Sequence, residues 1–333
     1  MLKSVSTRLS GRVTVTAPAR LHLGFLDLNG ATGRRFGSIG LAISGFRTRV
    51  SVAPAEHMRI SGPEGDCVLA YVNAMRRVLD FDHAYDVRVD ELAPRHAGLG
   101  SGTQLALAIA AAMRRLHELP LDLRGDADRL GRGARSGAGI GLFQRGGLVV
   151  DGGRTSAGGP APIISHLAFP DRWRVLVVLD PRAQGAHGTD EAVAFAGLPP
   201  ASDIDAAQLC RLLVMKLLPA IAEHDLAAFG SALEDMQSRL GDYFAPAQGG
   251  HRFISADVAA ALDLLRHAGA VGIGQSSWGP TGYAFASSSE AANQILDEAR
   301  RHSECRGVDI RICRGLNGGA DIAAHAPADA PES

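Results

Sequence analysis

Three glycines set two residues apart run directly into a long apolar segment in RHAGLGSGTQLALAIA, residues 95–110. A glycine loop that opens a helix aims several backbone N–H groups and the positive end of the helix dipole at one point. Glycine also lets the main chain come close to a ligand and adopt positive φ without steric cost. Gly98, Gly100 and Gly102, with the hydroxyls of Ser101 and Thr103, therefore form a candidate phosphate cradle. A tight turn packing a strand against a buried helix would use the same residues, and a short glycine pattern does not separate the two. Two familiar phosphate loops are excluded. A Walker A loop needs a lysine after its glycines, and none follows here. A dinucleotide fingerprint needs a strand entering the loop and an acid on the next strand; Pro94 breaks the approach, and the acid-bearing strand is missing.

The elements that must hold this loop read as follows. VTVTAPAR (13–20) alternates as a strand and continues through LHLGFLDL (21–28) to a hairpin signal at Asn29-Gly30. A glycine-interrupted stretch carrying Arg34 and Arg35 follows. FRTRVSVAP, HMRISG and YDVRVDEL (85–92) read as strands, and residues 67–80 and 102–118 as helices. A short helix, DADRLGRGAR, leads into the glycine-dense segment 135–153. Residues 154–171 have the composition of a linker. Beyond it, residues 172–180 form a buried strand. Mainly helical chain extends to about 240, with a further helix at 253–268, and a strand–strand–helix–strand series closes the fold. Strands with helices grouped between them predict two α+β domains, 1–165 and 166–318, rather than a doubly wound sheet. The Ala/Pro/Asp-rich tail, 319–333, reads as disordered.

With 333 residues the chain can bury a real core. Its 46% apolar and 21% charged content is ordinary for a globular enzyme, and a formal net charge of −1 gives no reason to expect a nucleic acid or anionic membrane partner. LALAIAAAM is far shorter than the roughly 20 residues of a membrane span, and the N-terminus lacks the apolar stretch of a signal peptide. Cys67, Cys210, Cys305 and Cys313 show no ligand spacing and read as reduced, mostly buried thiols of a cytoplasmic protein.

HAGLGSGTQLALA resembles the second motif of the GHMP kinase superfamily, P-x-x-x-G-L-G-S-S-A. GIGQSSWGPTGYAF (272–285) resembles its third motif, and APARLHLGFLDL stands in the place of its first. The resemblance implies a first domain like domain 2 of ribosomal protein S5, a ferredoxin-like second domain, and an active site between them. The kinase apparatus is altered. Gly102 replaces the second serine of GLGSS, and Gly139 stands where several members carry a catalytic aspartate. With the stretches at 18–43, 98–108, 131–153 and 274–281, the chain looks like β-ribofuranosylaminobenzene 5′-phosphate synthases, a non-kinase branch. That resemblance implies condensation of phosphoribosyl pyrophosphate with 4-aminobenzoate or 4-hydroxybenzoate, releasing pyrophosphate and CO2, on the way to methanopterin-type one-carbon carriers. It also implies Mg2+ and a homodimer.

The residues can be assigned to that chemistry. The cradle would hold the pyrophosphate or the 5′-phosphate, and Arg34 and Arg35 the other, since a guanidinium binds phosphate bidentately. Asp27 is the candidate to stabilise the sugar cation or accept the acceptor's N–H or O–H proton; its alternative is to cap the Asn29-Gly30 turn. His22 is a candidate proton handler or a structural histidine, and Arg20 a candidate anchor for the benzoate carboxylate. Gln275, Ser276, Ser277 and Trp278 are candidates for binding the acceptor, with Trp278 stacked on the ring or buried at a domain interface. Asp180, Asp190 and Glu191 could help to hold Mg2+, but the pattern fixes no ligand set. Gln248-Gly249-Gly250 is a polar loop placed to cover the site. A small-molecule kinase and a non-catalytic binder of a phosphorylated metabolite are the rival functions.

Overall fold

The computed structural model describes residues 10–185, 193–194 and 197–326. Its first sheet is built on two long strands, β1 (Arg12–Asp27) and β2 (Phe36–Ala55), paired antiparallel through most of their length. β2 is long enough to fork. Its far half pairs with β4 (Ala84–Glu91), and its near half with β5 (Leu148–Asp151). β3 (Arg59–Ser61) extends the sheet beside β4, and β6 (Ile163–Leu167) beside β5. Two register shifts interrupt the β1–β2 ladder, at Pro18/Ala19 and at His22/Gly24. A bulge of this kind bends the strand and re-aims its side chains.

Helices α1 (Gly65–Leu79), α2 (Ser101–Leu116), α3 (Leu123–Arg129) and α4 (Ala138–Arg145) complete the first unit. α2 is apolar almost all round because it lies against β1 and β2 and is covered by the other helices; only Gly102, Thr103 and Arg115 along it escape full burial. That burial makes it a rigid support for whatever its first turn holds.

The second sheet has the order β10-β7-β9-β8, all antiparallel, from β7 (Arg174–Leu179), β8 (Val271–Gln275), β9 (Gly282–Ala286) and β10 (Asp309–Arg314). Helices α5 (Asp203–Leu212), α6 (Leu218–Ala222), α7 (Leu226–Phe244) and α8 (Ala256–His267) lie between β7 and β8, and α9 (Ser289–Ala299) between β9 and β10. This is the expected ferredoxin-like β-α-β-β-α-β order. Ser202, Asp225, Ser255 and Ser288 cap four of these helices with side-chain oxygens. α2 has no side-chain cap; its N-cap is Gly100, at φ +73°.

Three expectations need correction. The tail is not wholly disordered: β11 (Asp321–His325) pairs with the outer edge of β1, Val15 opposite Ile322. An open strand edge accepts any chain that can offer backbone donors and acceptors, which composition does not reveal. Residues 327–333 lie outside the described residues. The linker expected at 154–171 contains β6, so a boundary at 165/166 falls inside a strand of the first sheet. The cysteines are free, but only Cys305 and Cys313 are buried; Cys67 is half-buried and Cys210 exposed.

Candidate active site

The glycine loop is fitted to its neighbours at each glycine. Gly98 has φ +82°, and a β-carbon there would stand 2.2 Å from the Ser276 carbonyl oxygen. At Gly100 a β-carbon would be 3.0 Å from Arg20 Nε, and at Gly102 it would be 3.3 Å from Arg132 Nη1. The Arg20 amide donates to Leu99 O at 3.0 Å, tying the loop to β1. Two guanidinium groups thus flank the first turn of α2, at the positive end of its dipole. Arg20 is the expected anchor of the benzoate carboxylate and lies instead beside the glycine loop; Arg132 carried no expectation. Arg132 lies over the Tyr71 ring at 5.4 Å and donates to the Tyr71 hydroxyl, and burial holds its pKa below the usual guanidinium value.

The serines expected to bind substrate have other partners. Ser101 is buried and its hydroxyl donates to Pro94 O at 3.3 Å. Ser276 is fully buried; its hydroxyl donates to Gly98 O at 2.7 Å and accepts from the His22 amide at 2.9 Å. It joins β8's turn to the glycine loop and to β1. Ser277 adopts φ +57° and lines a cleft between the two units, together with Gln275 and Trp278.

That cleft is narrow and is lined by His22, Phe25, Gln237, Leu240, Phe244, Gln248 and Arg252 besides those three. Trp278 is buried and meets Phe244 edge-on at 5.2 Å. Gln237 donates to Leu23 O and accepts from the Gln275 amide, both at 2.9 Å, so a side chain of α7 bridges the two sheets. Gln248 faces Gln275 at 2.9 Å, which places the predicted 248–250 loop at this cleft. His22 is wholly buried; burial, reinforced by Arg20, holds its pKa well below the usual histidine value, so the ring is neutral.

A second cavity, about 630 Å³ and open to solvent, lies at the far end of β1. Arg34, Arg35, Arg135 and Arg154 line it with Asn29, Thr155 and Ser156, and among the described residues no carboxylate is in its lining. Arg35 and Arg154 face each other across an isolated antiparallel bridge. Like charges so placed repel, an arrangement that a bound polyanion would reverse. Arg34 donates to Gly152 O and Gly153 O, and Arg35 to Leu28 O, so their forks are oriented by main chain. Beneath them is buried Asp151, whose carboxylate accepts from Ser38 Oγ at 2.5 Å and from the Gly137 and Gly153 amides at 2.9 Å. It pins the two loops carrying Arg135 and Arg154. Burial raises its pKa against those hydrogen bonds.

Asp27 is placed between the two cavities in sequence, but it is used locally. Its Oδ1 accepts from the Asn29 and Gly30 amides at 2.9 and 2.8 Å, the turn-capping alternative. His22 and Asp27 lie five residues apart on β1, roughly 15 Å at strand rise, so they do not form a pair. The rings of Phe244, Phe25 and Phe36 connect the two cavities, with centroids 6.3 and 5.8 Å apart. Among the described residues no cluster of three or more His, Cys, Asp or Glu side chains fits a metal ion. Asp180 accepts from Ser255 and Arg182, while Asp190 and Glu191 lie outside the described residues. No Mg2+ ligand set is assigned.

The chain matches the models of the GHMP kinase N-terminal domain over residues 66–142 and of the GHMP kinase C-terminal domain over 217–305. It is 33% identical over 322 residues to the β-ribofuranosylphenol 5′-phosphate synthase of Archaeoglobus fulgidus, covering 92% of this chain and 97% of that protein. The protein so named from Methanothermobacter thermautotrophicus is 31% identical, covering 81% and 87%, and that from Methanocaldococcus jannaschii 30%, covering 85% and 93%. The chain belongs to this synthase family. Its fold is shared with homoserine kinase from Cytophaga hutchinsonii, at a TM-score of 0.67 and 16% identity over 97% of this chain and 100% of that one. It is shared too with mevalonate diphosphate decarboxylase from Staphylococcus aureus, at 0.66 and 16% over 94% and 98%. Gly139, where the resemblance expects a kinase carboxylate, packs tightly on Thr103: a β-carbon would be 3.1 Å from Cγ2.

Proposed function

We propose that this member of the synthase family is a glycosyltransferase. It joins phosphoribosyl pyrophosphate to 4-hydroxybenzoate or 4-aminobenzoate and releases pyrophosphate and CO2, early in the making of a methanopterin-type one-carbon carrier. The observation in the structure that carries the reading is the cavity lined by Arg34, Arg35 and Arg154, with no carboxylate among its described lining residues. A donor with two separated phosphate groups needs such a field. The glycine loop, with Arg132 and with Arg20 midway along β1, would supply a second anion site. Negative charge that grows on the leaving pyrophosphate would be met by groups already oriented by main-chain carbonyls, so little reorganisation is needed at the moment of reaction. The reading includes Mg2+ as counter-ion of the pyrophosphate, a homodimer and a cytoplasmic setting; each comes from the family resemblance.

The test is release of labelled CO2 from carboxyl-labelled 4-hydroxybenzoate or 4-aminobenzoate by purified protein with phosphoribosyl pyrophosphate and Mg2+. Release that needs both substrates supports the proposal and identifies the acceptor. Folded protein that releases none from either acid rejects it. ADP formation with a small alcohol would then revive the kinase reading.

A further inference from the structure

His22 is 1% exposed, and neither of its ring nitrogens has a hydrogen-bond partner among the described residues. Leaving a buried polar group unpaired is costly, and a phenyl ring would fill the space without that cost. The ring lies 4.5 Å from Phe25, beside the β1 bulge, and lines the interdomain cleft. Most polar side chains around it are already engaged. Gln275 accepts from the Ile254 amide and donates to Gln248 and Ser277 O, and both Asp242 oxygens hold Arg252. From buried His22 the lining runs outward to Arg252, whose side chain is 52% exposed. Phe25, Phe244 and Trp278 form the walls.

We propose that this cleft receives the ring of the aromatic acceptor, with its para hydroxyl or amine hydrogen-bonded to His22 and its carboxylate turned outward to the Arg252 end. The inference rests on the synthase reading and adds the acceptor's place and orientation. A flat ring suits aromatic walls that meet it edge or face. The deep end offers the partner that the para group needs, and the outer end leaves the carboxylate-bearing carbon towards the exposed side of the cleft.

The chemistry balances with His22 as temporary proton holder. The carboxylate-bearing ring carbon forms its bond to C1′ while the C1′–O bond breaks, its electron pair leaving with pyrophosphate. The ring then carries positive charge, which makes the para O–H or N–H strongly acidic, and the proton passes to His22. Breaking the bond to CO2 returns an electron pair to the ring, and His22 gives the proton back. Nothing is oxidised or reduced. A neutral, weakly basic imidazole matches a group that becomes acidic only during attack.

Trp278 gives a direct readout. With Trp173→Phe as background, Trp278 is the sole tryptophan, and 4-hydroxybenzoate titrated with and without pyrophosphate should change its fluorescence. His22→Phe should weaken that binding at least 10-fold and leave the KM for phosphoribosyl pyrophosphate within about twofold, by loss of one charge-free hydrogen bond at the acceptor end alone. Its thermal midpoint should hold or rise, because the orphaned nitrogens are gone. His22→Asn, which keeps a hydrogen-bonding group, should recover part of the affinity. Unchanged benzoate affinity in His22→Phe would overturn the inference while CO2 release by the wild-type protein left the synthase reading intact. A wild-type protein that releases no CO2 removes both.

Discussion

Ser276 and Gly98 meet across the boundary between the two units, the serine hydroxyl donating to the glycine carbonyl at 2.7 Å while accepting from the His22 amide at 2.9 Å. One buried hydroxyl thus sets the distance between the glycine loop, β1 and the turn after β8. Ser276→Ala leaves a buried carbonyl and a buried amide without their partner, at a cost of about 2 kcal/mol. The expected result is a lower denaturant midpoint with an unchanged slope, and a loss in kcat larger than any change in the affinity for either substrate alone. A variant with wild-type stability and turnover would show that the contact does not organise the site.

Gly139 stands where the resemblance to the kinases expects a carboxylate. A β-carbon there would press on the Thr103 methyl at 3.1 Å, in the first turn of a buried helix. Gly139→Asp is expected to cost about 1–3 kcal/mol from overpacking and carboxylate burial. It should bring no ATP-dependent phosphorylation of homoserine or mevalonate. Thermal unfolding and a coupled ADP assay check both parts; a stable variant with new phosphotransfer would contradict the packing argument.

How much of this was legible in the sequence follows from how local each feature is. The loop at Gly98–Thr103 and the helix behind it are contiguous, so spacing alone located them. The Asx turn at Asp27 was also local, and the cap was visible as the alternative to catalysis. Arg132 meets Gly102 because α3 packs on α2, and Arg154 faces Arg35 because the sheet brings distant segments together. Periodicity carries no trace of such pairs, although arginines beside glycines in GRGAR and VDGGR were a signal that could have been weighed. Ser101 and Ser276 looked like ligands by type, but burial gave their hydroxyls to backbone groups. The pairing of β11 with β1 escaped because composition describes side chains, and the bond is made by backbone.

Arg154 gives a test of the anion cavity that separates ligand binding from folding. Among the described residues Arg34, Arg35 and Arg154 form no ion pair with a carboxylate, and Arg35 and Arg154 oppose each other on a bridge. Removing one charge relieves repulsion in the empty protein, so Arg154→Ala should melt no lower than the wild type by more than a degree or two. Pyrophosphate should raise the wild-type midpoint by mass action and raise that of Arg154→Ala much less. In initial rates the KM for phosphoribosyl pyrophosphate should rise on the order of 10-fold, and salt should weaken wild-type binding more steeply than that of the variant. An equal pyrophosphate response in both proteins would place the anion elsewhere.

His117, at the C-terminal end of α2, makes stability depend on pH in a direction that can be worked out. Its ring stacks on Phe81 at 3.9 Å and faces the Tyr85 hydroxyl at 2.7 Å, and burial, with His83 nearby, lowers its pKa to about 4. In the unfolded chain the group titrates near 6.5. Above that value both states hold a neutral ring and the group contributes no pH dependence. Between about 6.5 and about 4 the unfolded state takes up a proton that the folded state refuses, so stability falls as pH falls, and the effect levels off below the folded value. His117→Phe keeps the stack and removes the titration. Denaturant unfolding at a series of pH values from 7 to about 4 should therefore give a shallower decline for His117→Phe than for wild type, the two curves separating as pH drops below about 6.5. Parallel curves would mean that the folded imidazole charges as readily as the free one, and that the stack with Phe81 does not exclude the proton.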